Sequence, residues 1–310
     1  MKIGVMGAGA VGCYFGAMLA RAGHELIFIG RPAFVGQVRR HGLRLQHRDF
    51  DLVLPVTASE DAAGLADADL ILFTVKSSDT ETAGRAMANC LRDDALVLSL
   101  QNGVDNAERL SAILSRPVHP VATYVAVEMA GPGHVRHHGR GELLTGDFPG
   151  AVSLCDLLGR AGIPATHSAQ VDELLWSKLL INCAYNALSA VAQHSYAEMT
   201  AIDGVTGVMA AAVDECVAVA RAAGVALGHP GMAQVLALVT AMPAQRSSTA
   251  QDLARGRPTE IEHLNGHVVR LGSELGVPTP VNATLLAVVR LLAAKQAATD
   301  WKFQEEWRKR

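Results

Sequence analysis

Short runs of aliphatic and β-branched residues alternate with stretches of helical periodicity through the first half of the chain. Strands are predicted at residues 2–6, 25–29, 69–75, 95–100 and 118–127, with further ones near 141–145 and 163–167. Residues 42–46 and 51–56 predict a hairpin, and an apolar helix is predicted from Ala10 to Arg21. Because strands and helices alternate, we expect a largely parallel sheet with helices on both of its faces.

The pattern changes at about Val171, where strand-like runs stop and alanine, leucine and valine recur at helical spacing. The predicted helices cover residues 171–193, 204–223, 232–242, 247–255, 258–275 and 279–297. Glycines and prolines such as Gly224 and Pro243 separate these segments and are typical of helix ends. The sequence therefore predicts an α/β domain at residues 1–168, followed by an all-helical domain at residues 169–310.

Composition and charge narrow the class of function. The 310 residues are half hydrophobic and carry a formal net charge of −3, with no dense basic run except the terminal "WRKR". A nucleic-acid partner is therefore not expected. The five cysteines are scattered and form no C-x-x-C pair, which favours reduced thiols in a cytoplasmic protein over a disulfide framework or a zinc site. Charges and prolines interrupt the apolar segments short of the roughly 18 residues of a membrane span, so no membrane contact is expected.

The stretch "VMGAGAVGCYFGAML" carries Gly7, Gly9 and Gly12 in the pattern G-x-G-x-x-G. The pattern alone is weak, but here it follows a predicted strand and opens a predicted helix, which is the context of a dinucleotide site. The first glycine allows a tight turn, the second allows the backbone to approach a pyrophosphate, and the third allows close packing of helix and strand. The alternative is a glycine-rich turn without a ligand. The candidate cofactor contacts are Gly7, Ala8, Gly9, Ala10, Val11 and Gly12.

The end of the second predicted strand bears on the choice of dinucleotide. A site for NAD would place an acid there for the ribose 2′-hydroxyl, whereas a nearby arginine accommodates a 2′-phosphate. The chain has Gly30 and Arg31 at this point and no acid before Asp49. Since a guanidinium grips a phosphate that a carboxylate would repel, NADP(H) is the expected cofactor. A solvated surface arginine is the alternative.

Two further predicted strands end in polar residues. Thr74 and Lys76 follow one strand, and Gln101-Asn102-Gly103 follows the next. Ligands in parallel sheets lie at the carboxyl ends of the strands, so Lys76 and Asn102 are candidate ligand contacts. A solvated lysine and an ordinary Asn-Gly turn are the alternatives.

The segment "WSKLLINCAYN" places Lys178, Asn182 and Asn186 four residues apart. On a helix this spacing puts the three polar side chains along one face, within otherwise apolar surroundings. A partly exposed helix face is the alternative. A second group follows in "RSSTAQDLARGRPTEIEHLNG", where Ser248 and Glu260 flank a break at Gly256 and Pro258. If Glu260 lies near Lys178, the two charges would pair and keep the lysine protonated.

These segments together resemble the ketopantoate reductase (2-dehydropantoate 2-reductase) family. The resemblance is carried by "GAGAVG", "TVKSSDT", "QNGV", "LWSKLLINCAYNALSA", "SSTAQDLARGRPTEIEHLNG" and "GVPTPVNATL", in order over nearly the whole chain. It implies a Rossmann domain followed by a helical domain, NADPH as cofactor, and reduction of a small 2-keto acid in pantothenate synthesis.

The same resemblance implies roles for particular residues. Lys178 and Glu260 match the catalytic lysine and acid of the family, and Glu260 is also a candidate cofactor contact. The implied substrate and cofactor contacts are Asn102, Asn182, Asn186 and Ser248, and the implied contacts to the NADPH phosphates and ribose are Arg31 and Lys76.

The chain departs from the family pattern at positions that border the substrate residues. Thr249 stands where methionine is common, Glu262 where the family usually has aspartate, and Gln245 where an asparagine often contributes. A reductase of another small 2-keto acid is therefore a second interpretation. A dinucleotide-binding redox sensor without catalysis is a third, because a glycine motif reports binding and not chemistry. The sequence leaves a homodimer open.

Two remaining features lie outside these motifs. The stretch "GHVRHHG" offers His134, His137 and His138, but no cysteines or carboxylates stand nearby at ligand spacing, so we expect a hairpin with polar tips and no metal. The terminal "TDWKFQEEWRKR" is expected to be a solvated helix end or a segment in which Trp301 and Trp307 dock on the body or on a second subunit.

Overall fold

The apolar runs of the first half form one mixed sheet in a computed structural model that describes residues 1–308, with side chains described through residue 296. Its strands are β1 Lys2–Met6, β2 Glu25–Ile29, β3 Leu43–Gln46, β4 Asp51–Leu54, β5 Thr57–Ser59, β6 Leu70–Phe73, β7 Leu96–Ser99, β8 His119–Gly131, β9 His134–Thr145 and β10 Ala165–His167. The predicted strands are confirmed, and β5 was not predicted.

Within the described residues the strand order is β4-β3-β9-β8-β7-β6-β1-β2-β5, with β10 paired to β9. All neighbours from β5 to β8 are parallel, so β1 lies between β2 and β6 with Val5 opposite both Phe28 and Leu72. The β3–β4 and β8–β9 pairs are antiparallel, which confirms the hairpin predicted at β3–β4. The prediction of a largely parallel sheet is thus confirmed, and the carboxyl ends of β1, β2, β6 and β7 lie at one edge.

The helices of the first half connect these strands. They are α1 Ala10–Arg21, α2 Pro32–His41, α3 Thr80–Met87, α4 Asn106–Leu114 and α5 Ala151–Arg160. The predicted bounds of α1 are confirmed. Phe15 and Leu19 of α1 are fully buried in the same core cluster as Val5 and Phe28. Gly16 allows this close approach, because a Cβ there would stand 2.5 Å from the ring of Phe28.

The second half contains helices and no strands within its described length. Its helices are α6 Val171–Ala192, α7 Tyr196–Thr200, α8 Val205–Ala222, α9 Gly231–Ala241, α10 Ser248–Ala254, α11 Asn265–Leu275 and α12 Pro280–Arg308. Residue contacts divide the chain into two units, Met1–Leu175 and Trp176–Arg310. The core of the second unit includes Ala187, Ala212, Leu253 and Val289.

Two helical predictions need correction. A single helix over residues 258–275 is wrong, because only a 3₁₀ turn at Ile261–His263 precedes α11. Leu264, with φ −111° and ψ −103°, breaks the helical path, so Glu260 lies outside a helix. The short helix α7 was not predicted, although Ser195 and Glu198 form a capping box and supply the S-x-x-E signal for it.

No helix in the part of the chain described combines the length and hydropathy needed to cross a bilayer. The predicted docking of Trp301 and Trp307 falls on side chains outside the described ones, although the backbone of α12 continues to Arg308.

The histidines of "GHVRHHG" lie on β9, and the hairpin predicted there is the β8–β9 pair. Each of the three has a different environment. The Nε2 atom of His134 lies 3.2 Å from Gln46, and that of His138 lies 3.2 Å from a carboxylate oxygen of Glu128. The Nε2 atom of His137 lies 2.6 Å from the carbonyl of Arg140, and its side chain is buried. The polar tip expected of this hairpin is therefore wrong for His137.

His137 belongs to a column of four stacked rings. Its ring centroid lies 4.6 Å from that of Tyr14 on one side and 4.5 Å from that of His47 on the other. The ring of His47 in turn stacks on Phe50 at 4.6 Å. Burial, followed by the charge of the neighbouring His137, lowers the pKa of His47. Burial also lowers the pKa of His137, so the neutral form of both rings is favoured.

This column predicts an acid-sensitive stability. As pH falls below about 6.5, the two histidines are protonated in the unfolded state but remain neutral in the folded state. The free energy of unfolding therefore decreases. This loss of stability grows as pH falls from about 6.5 to the lowered pKa values of the folded state, and it is absent above about pH 6.5. Urea unfolding at about pH 7.5 and 5.5 measures it. His47→Phe keeps a stacked ring without a titrating group and is expected to narrow the difference, whereas His41→Phe, at an exposed position, is not.

Candidate functional site

The turn after β1 is built around Gly7. Its φ of +103° lies in the region that favours glycine. A Cβ at this position would stand 2.7 Å from the backbone nitrogen of Val75 and 2.9 Å from the carbonyl carbon of Thr74. The Gly7 and Ala8 amides both donate to the carbonyl of Ile29, at 3.1 Å. The turn therefore lies tightly against the ends of β2 and β6, and no other residue fits at Gly7.

Gly9 is the residue that precedes α1, and it has a different environment. A Cβ at Gly9 would meet nothing within 4 Å among the described residues. Protein packing therefore gives no reason for glycine at this position, whereas the close approach of a ligand would. The first-turn amides of α1, at Ala10 and Val11, point out of the helix without intrahelical acceptors. A diphosphate fits such a helix N-terminus through these amides and the helix dipole.

Gly12 allows α1 to pack on the sheet. A Cβ there would overlap the hydroxyl of Thr74 and lie 2.6 Å from the carbonyl oxygen of Gly7 and 2.8 Å from Val5. The Thr74 hydroxyl donates to that Gly7 carbonyl at 2.6 Å. Thr74, noted in the sequence only as a polar strand end, thus fastens the glycine turn to β6. Its role could not be read from the motif, because the two residues are 67 positions apart.

Replacing Gly12 by valine is expected to weaken NADPH binding by roughly 10–100-fold, because the added methyl groups force α1 and the glycine turn away from the sheet. Fluorescence titration of NADPH measures the change. Gly159→Val, on α5, is the control, since a Cβ at Gly159 meets nothing within 4 Å of the described protein. Equal affinities for the two variants would contradict a dinucleotide site at this turn.

The end of β2 carries Gly30 and Arg31. A Cβ at Gly30 would stand 2.8 Å from the Cβ of Ala8 and 2.8 Å from the ring of Phe34, so an acidic side chain does not fit there. Arg31 precedes α2 and is exposed. No carboxylate among the described residues pairs with its guanidinium. The strand end therefore offers an uncompensated positive charge and no acid, which suits a 2′-phosphate.

Lys76 and Asn102 lie on neighbouring loops, after β6 and β7 respectively, and both are half-buried. The two loops are joined by hydrogen bonds, among them one of 3.0 Å from the Ser77 hydroxyl to the Asn102 carbonyl. The structure thus places Lys76 and Asn102 on two hydrogen-bonded loops at the carboxyl edge of the sheet. Ser77 and Asn106, which form the link, were not predicted.

In the second unit, the polar row predicted at Lys178, Asn182 and Asn186 lies on one helix, α6. Lys178 and Asn182 are half-buried, and Asn186 is 3% exposed. The side-chain amide of Asn182 makes no hydrogen bond with any other group in the part of the chain described. A half-buried amide without a protein partner can bind a polar ligand without first breaking an internal hydrogen bond.

Ser248 lies beside this row. The side-chain amide of Asn186 donates to the Ser248 hydroxyl at 3.4 Å, which brings together two of the predicted substrate contacts. The neighbouring Ser247, fully buried, donates to the backbone carbonyl of Asn186 at 3.1 Å and caps α10 by accepting from the Ala250 amide at 3.1 Å. Ser247 therefore fastens the start of α10 to α6. It was not predicted, although a serine before a helix is a common cap signal.

The segment that follows Glu260 packs along α6. Ile261 is buried in the same core cluster as Ala187, and the Asn265 side-chain amide donates to the carbonyl of Cys183 at 3.2 Å. Glu260 is half-buried at the start of this segment. Glu260 is therefore presented by an irregular stretch whose neighbours contact α6.

The side chains of Tyr185 and Cys183, which also lie on α6, are unsuited to proton transfer near neutral pH. Burial raises the pKa of Tyr185 to about 12, and its hydroxyl donates to the carbonyl of Val235 at 2.9 Å. Burial also raises the pKa of the Cys183 thiol. Among the residues with described side chains, no group of three or more histidines, cysteines and carboxylates is arranged to hold a metal ion.

The sequence of this chain matches two family models. "Ketopantoate reductase PanE/ApbA" matches residues 3–150, and "Ketopantoate reductase PanE/ApbA C terminal" matches residues 170–293. The 2-dehydropantoate 2-reductase of Archaeoglobus fulgidus is 33% identical over 295 residues, covering 93% of this chain and 97% of that protein. The chain belongs to the ketopantoate reductase family. The corresponding enzyme of Vibrio cholerae is 31% identical over 94% of this chain and 98% of its own length.

Solved structures agree with membership of the ketopantoate reductase family. A PanE/ApbA family ketopantoate reductase from Ralstonia eutropha JMP134 is 51% identical with a TM-score of 0.93, covering 96% of this chain and 100% of that chain. A D-mandelate dehydrogenase, in a ternary structure with NADH and anilino(oxo)acetate, is 25% identical with a TM-score of 0.89, over 96% and 100% of the two chains. The ketopantoate reductase fold is therefore shared with a dehydrogenase that has another name.

Proposed function

We propose that this protein catalyses the NADPH-dependent reduction of 2-dehydropantoate (ketopantoate) to pantoate, a step of pantothenate and coenzyme A synthesis. The observation that carries the proposal is the polar row on α6, in which Lys178 is followed by two amides and the second amide contacts Ser248. A dinucleotide-binding sensor would have no use for this row.

The proposed cofactor site uses the carboxyl edge of the sheet in the first unit. Residues 7–12 would hold the diphosphate through backbone amides, Arg31 would pair with the 2′-phosphate, and Lys76 and Asn102 would contact the ribose and the neighbouring groups. We propose residues 1–168 as this NADP-binding domain and residues 169–310 as the substrate-binding domain. NADPH, when bound, supplies the hydride.

The proposed chemistry of the second unit follows from the reaction. Reduction of a ketone builds negative charge on its oxygen, which needs a donor of a proton at that atom. We assign this role to the protonated ammonium of Lys178. Asn182 and Asn186 would hydrogen-bond the polar groups of the substrate without adding charge, and Ser248 would donate to its carboxylate. Glu260 would accept a hydrogen bond from a substrate hydroxyl and favour the charged form of Lys178.

A second candidate is the reduction of another small 2-keto acid by the same residues. Its specific support is the similarity to D-mandelate dehydrogenase, at a TM-score of 0.89, in a structure that contains anilino(oxo)acetate. The departures at Gln245, Thr249 and Glu262 lie beside the proposed substrate residues and could alter which side chain of the keto acid is accepted. A cytoplasmic location is part of either proposal and is supported by the five free cysteines.

A substrate panel separates the two candidates. The values of kcat/KM with NADPH are compared for ketopantoate, 2-ketoisovalerate and benzoylformate, which differ in their branching, hydroxyl group and aromatic ring. We expect ketopantoate to exceed 2-ketoisovalerate, because a site that hydrogen-bonds the substrate hydroxyl rejects an analogue without it. A preference for benzoylformate would favour the second candidate. Tight NADPH binding without turnover of any of the three would leave the non-catalytic interpretation.

A further inference from the structure

The loops that follow β6 and β7 are joined by polar side chains with almost no exposure to solvent. Ser77 and Thr80 are fully buried, Ser99 and Asn106 are 3% exposed, and Gln101 is 5% exposed. Buried polar groups are costly unless they are hydrogen-bonded, so such a cluster is kept only where its bonds are satisfied. The described partners of this cluster lie on both loops.

Asn106, at the first position of α4, is the centre of the cluster. Its Nδ2 atom donates to the backbone carbonyl of Asn102 at 2.6 Å and to the Ser77 hydroxyl at 3.1 Å. Its Oδ1 atom accepts from Arg109 at 3.1 Å and from Thr80 at 3.4 Å. The partners fix the orientation of the amide, because a carbonyl can only accept and a guanidinium can only donate.

Ser77 closes the link from the other loop. Its hydroxyl donates to the same Asn102 carbonyl at 3.0 Å, so this one oxygen is held by both Ser77 and Asn106. The Nη2 atom of Arg109 donates to the Ser77 carbonyl at 3.0 Å, and its Nε atom donates to Glu81 at 2.8 Å. The residue directly before Ser77 is Lys76.

Gln101 forms a second set of hydrogen bonds between the same two loops. The side-chain amide of Gln101 donates to the Val75 carbonyl at 3.1 Å and to the Thr80 hydroxyl at 2.8 Å, and its carbonyl accepts from Ser99 at 3.0 Å. Val75, Ser77 and Gln101, the residues next to Lys76 and Asn102, thus all take part in hydrogen bonds between the two loops. The two backbones cannot move apart without breaking several buried hydrogen bonds.

We propose that Asn106 is a positioning residue, which fixes the place of Asn102 relative to Lys76 by holding the Asn102 carbonyl and the Ser77 hydroxyl together. The inference rests on the proposed function, in which Lys76 and Asn102 contact the cofactor and the substrate. Asn106 itself is buried beneath the two loops and contacts no ligand. It acts on Lys76 and Asn102 by holding the loops that carry them. Its contribution is the preorganisation of the contacts, since a shift of about 1 Å in a positioning group can cost on the order of 100-fold in rate.

The chemistry at this position is specific to an uncharged amide. Asn106→Asp has the same shape, but it replaces the donor by an oxygen that repels the Asn102 carbonyl and gives the Ser77 hydroxyl a competing acceptor. Its new charge lies beside Arg109, which limits the loss of stability. Ser77→Ala removes one of the two donors to the same carbonyl and is the milder variant. Leu114→Ala, on the same helix α4 and 9% exposed, is the control for lost packing.

The experiment measures kcat and the two KM values for the four proteins, with the Kd of NADPH obtained separately by fluorescence without substrate. For Asn106→Asp we expect a rise of about 10-fold or more in the NADPH Kd and in the KM of the keto acid, with a smaller effect for Ser77→Ala. Faster amide exchange is expected at residues 100–105 in both variants. For Leu114→Ala we expect values within about threefold of the original protein, despite its lower unfolding midpoint.

Two results would overturn the inference. One is an Asn106→Asp protein with unchanged Kd and KM values. The other is a loss of activity that follows the unfolding midpoint equally in Asn106→Asp and Leu114→Ala. If the unaltered protein reduces none of the keto acids, the proposed function fails, and the NADPH Kd and the amide exchange at residues 100–105 still decide whether Asn106 holds the two loops in place.

Discussion

Lys178→Met is expected to lower kcat for reduction of the preferred keto acid by about 10³-fold. The reason is that methionine keeps the length and packing of the side chain on α6 but can donate neither a proton nor a hydrogen bond to the developing alkoxide. NADPH affinity is expected to change less than about twofold, since all the candidate cofactor contacts except Glu260 lie in the first unit. Stopped-flow or steady-state NADPH oxidation gives kcat, and fluorescence gives the affinity.

Lys295→Met is the matched control for this prediction, because it removes a lysine from another helix of the same unit, α12. It is expected to retain the original kcat. If Lys178→Met also retained kcat with a good substrate, the assignment of the proton donor would be wrong. If both variants lost activity with a matching fall in their unfolding midpoints, Lys178 would be a structural residue.

Arg31→Ala is expected to weaken NADPH binding by about 10–100-fold and to leave NADH binding almost unchanged. A hydrogen-bonded contact between ionised groups contributes about 1.5–3 kcal/mol, which corresponds to this factor, and NADH lacks the 2′-phosphate that makes the contact. The guanidinium of Arg31 has no carboxylate partner among the described residues, so its removal leaves no buried charge behind. The measurement is the ratio of kcat/KM values for NADPH and NADH.

Arg40→Ala tests whether the effect is one of position or of charge. Arg40 is exposed on α2, the helix that Arg31 precedes, and its Nε atom donates to the carbonyl of Gly36 at 3.1 Å. Loss of either arginine lowers the positive charge of the region equally, but Arg31 lies at the end of β2, after Gly30, whereas Arg40 lies in the last turn of α2. A comparable loss of NADPH preference in Arg40→Ala would show that general attraction, and not a contact to the 2′-phosphate, sets the cofactor choice.

Local patterns were enough to predict much of the fold. The strand at 2–6 and the helix from Ala10 to about Arg21 agree with β1 and α1, because the glycine turn between them leaves little freedom. The long helix assigned to residues 258–275 was wrong because a long-range contact decides there. Asn265 bonds to Cys183 and to Asn282, and the backbone at Leu264 leaves the helical region where this happens.

The candidate site shows the same division. Lys178, Asn182 and Asn186 could be placed on one face because four-residue spacing is local information. The contact of Asn186 with Ser248 spans 62 positions, and the links of Asn106 to Ser77 and of Thr74 to Gly7 span 29 and 67. Such pairs have no periodic signature in the sequence. The residues that hold a site together therefore remained unpredicted, while those implied by the family resemblance were named.

The most direct test of the proposed reaction is the transfer of deuterium from NADPH labelled at nicotinamide C4 to the keto acid. Ketopantoate is incubated with the protein and each of the two C4-labelled forms of NADPH, and the product is analysed by mass spectrometry. We predict pantoate with one deuterium at C2 from one of the two forms, and loss of this product in Lys178→Met. Bound NADPH with no deuterium in the product from either form would contradict the assignment of this chain as a ketopantoate reductase.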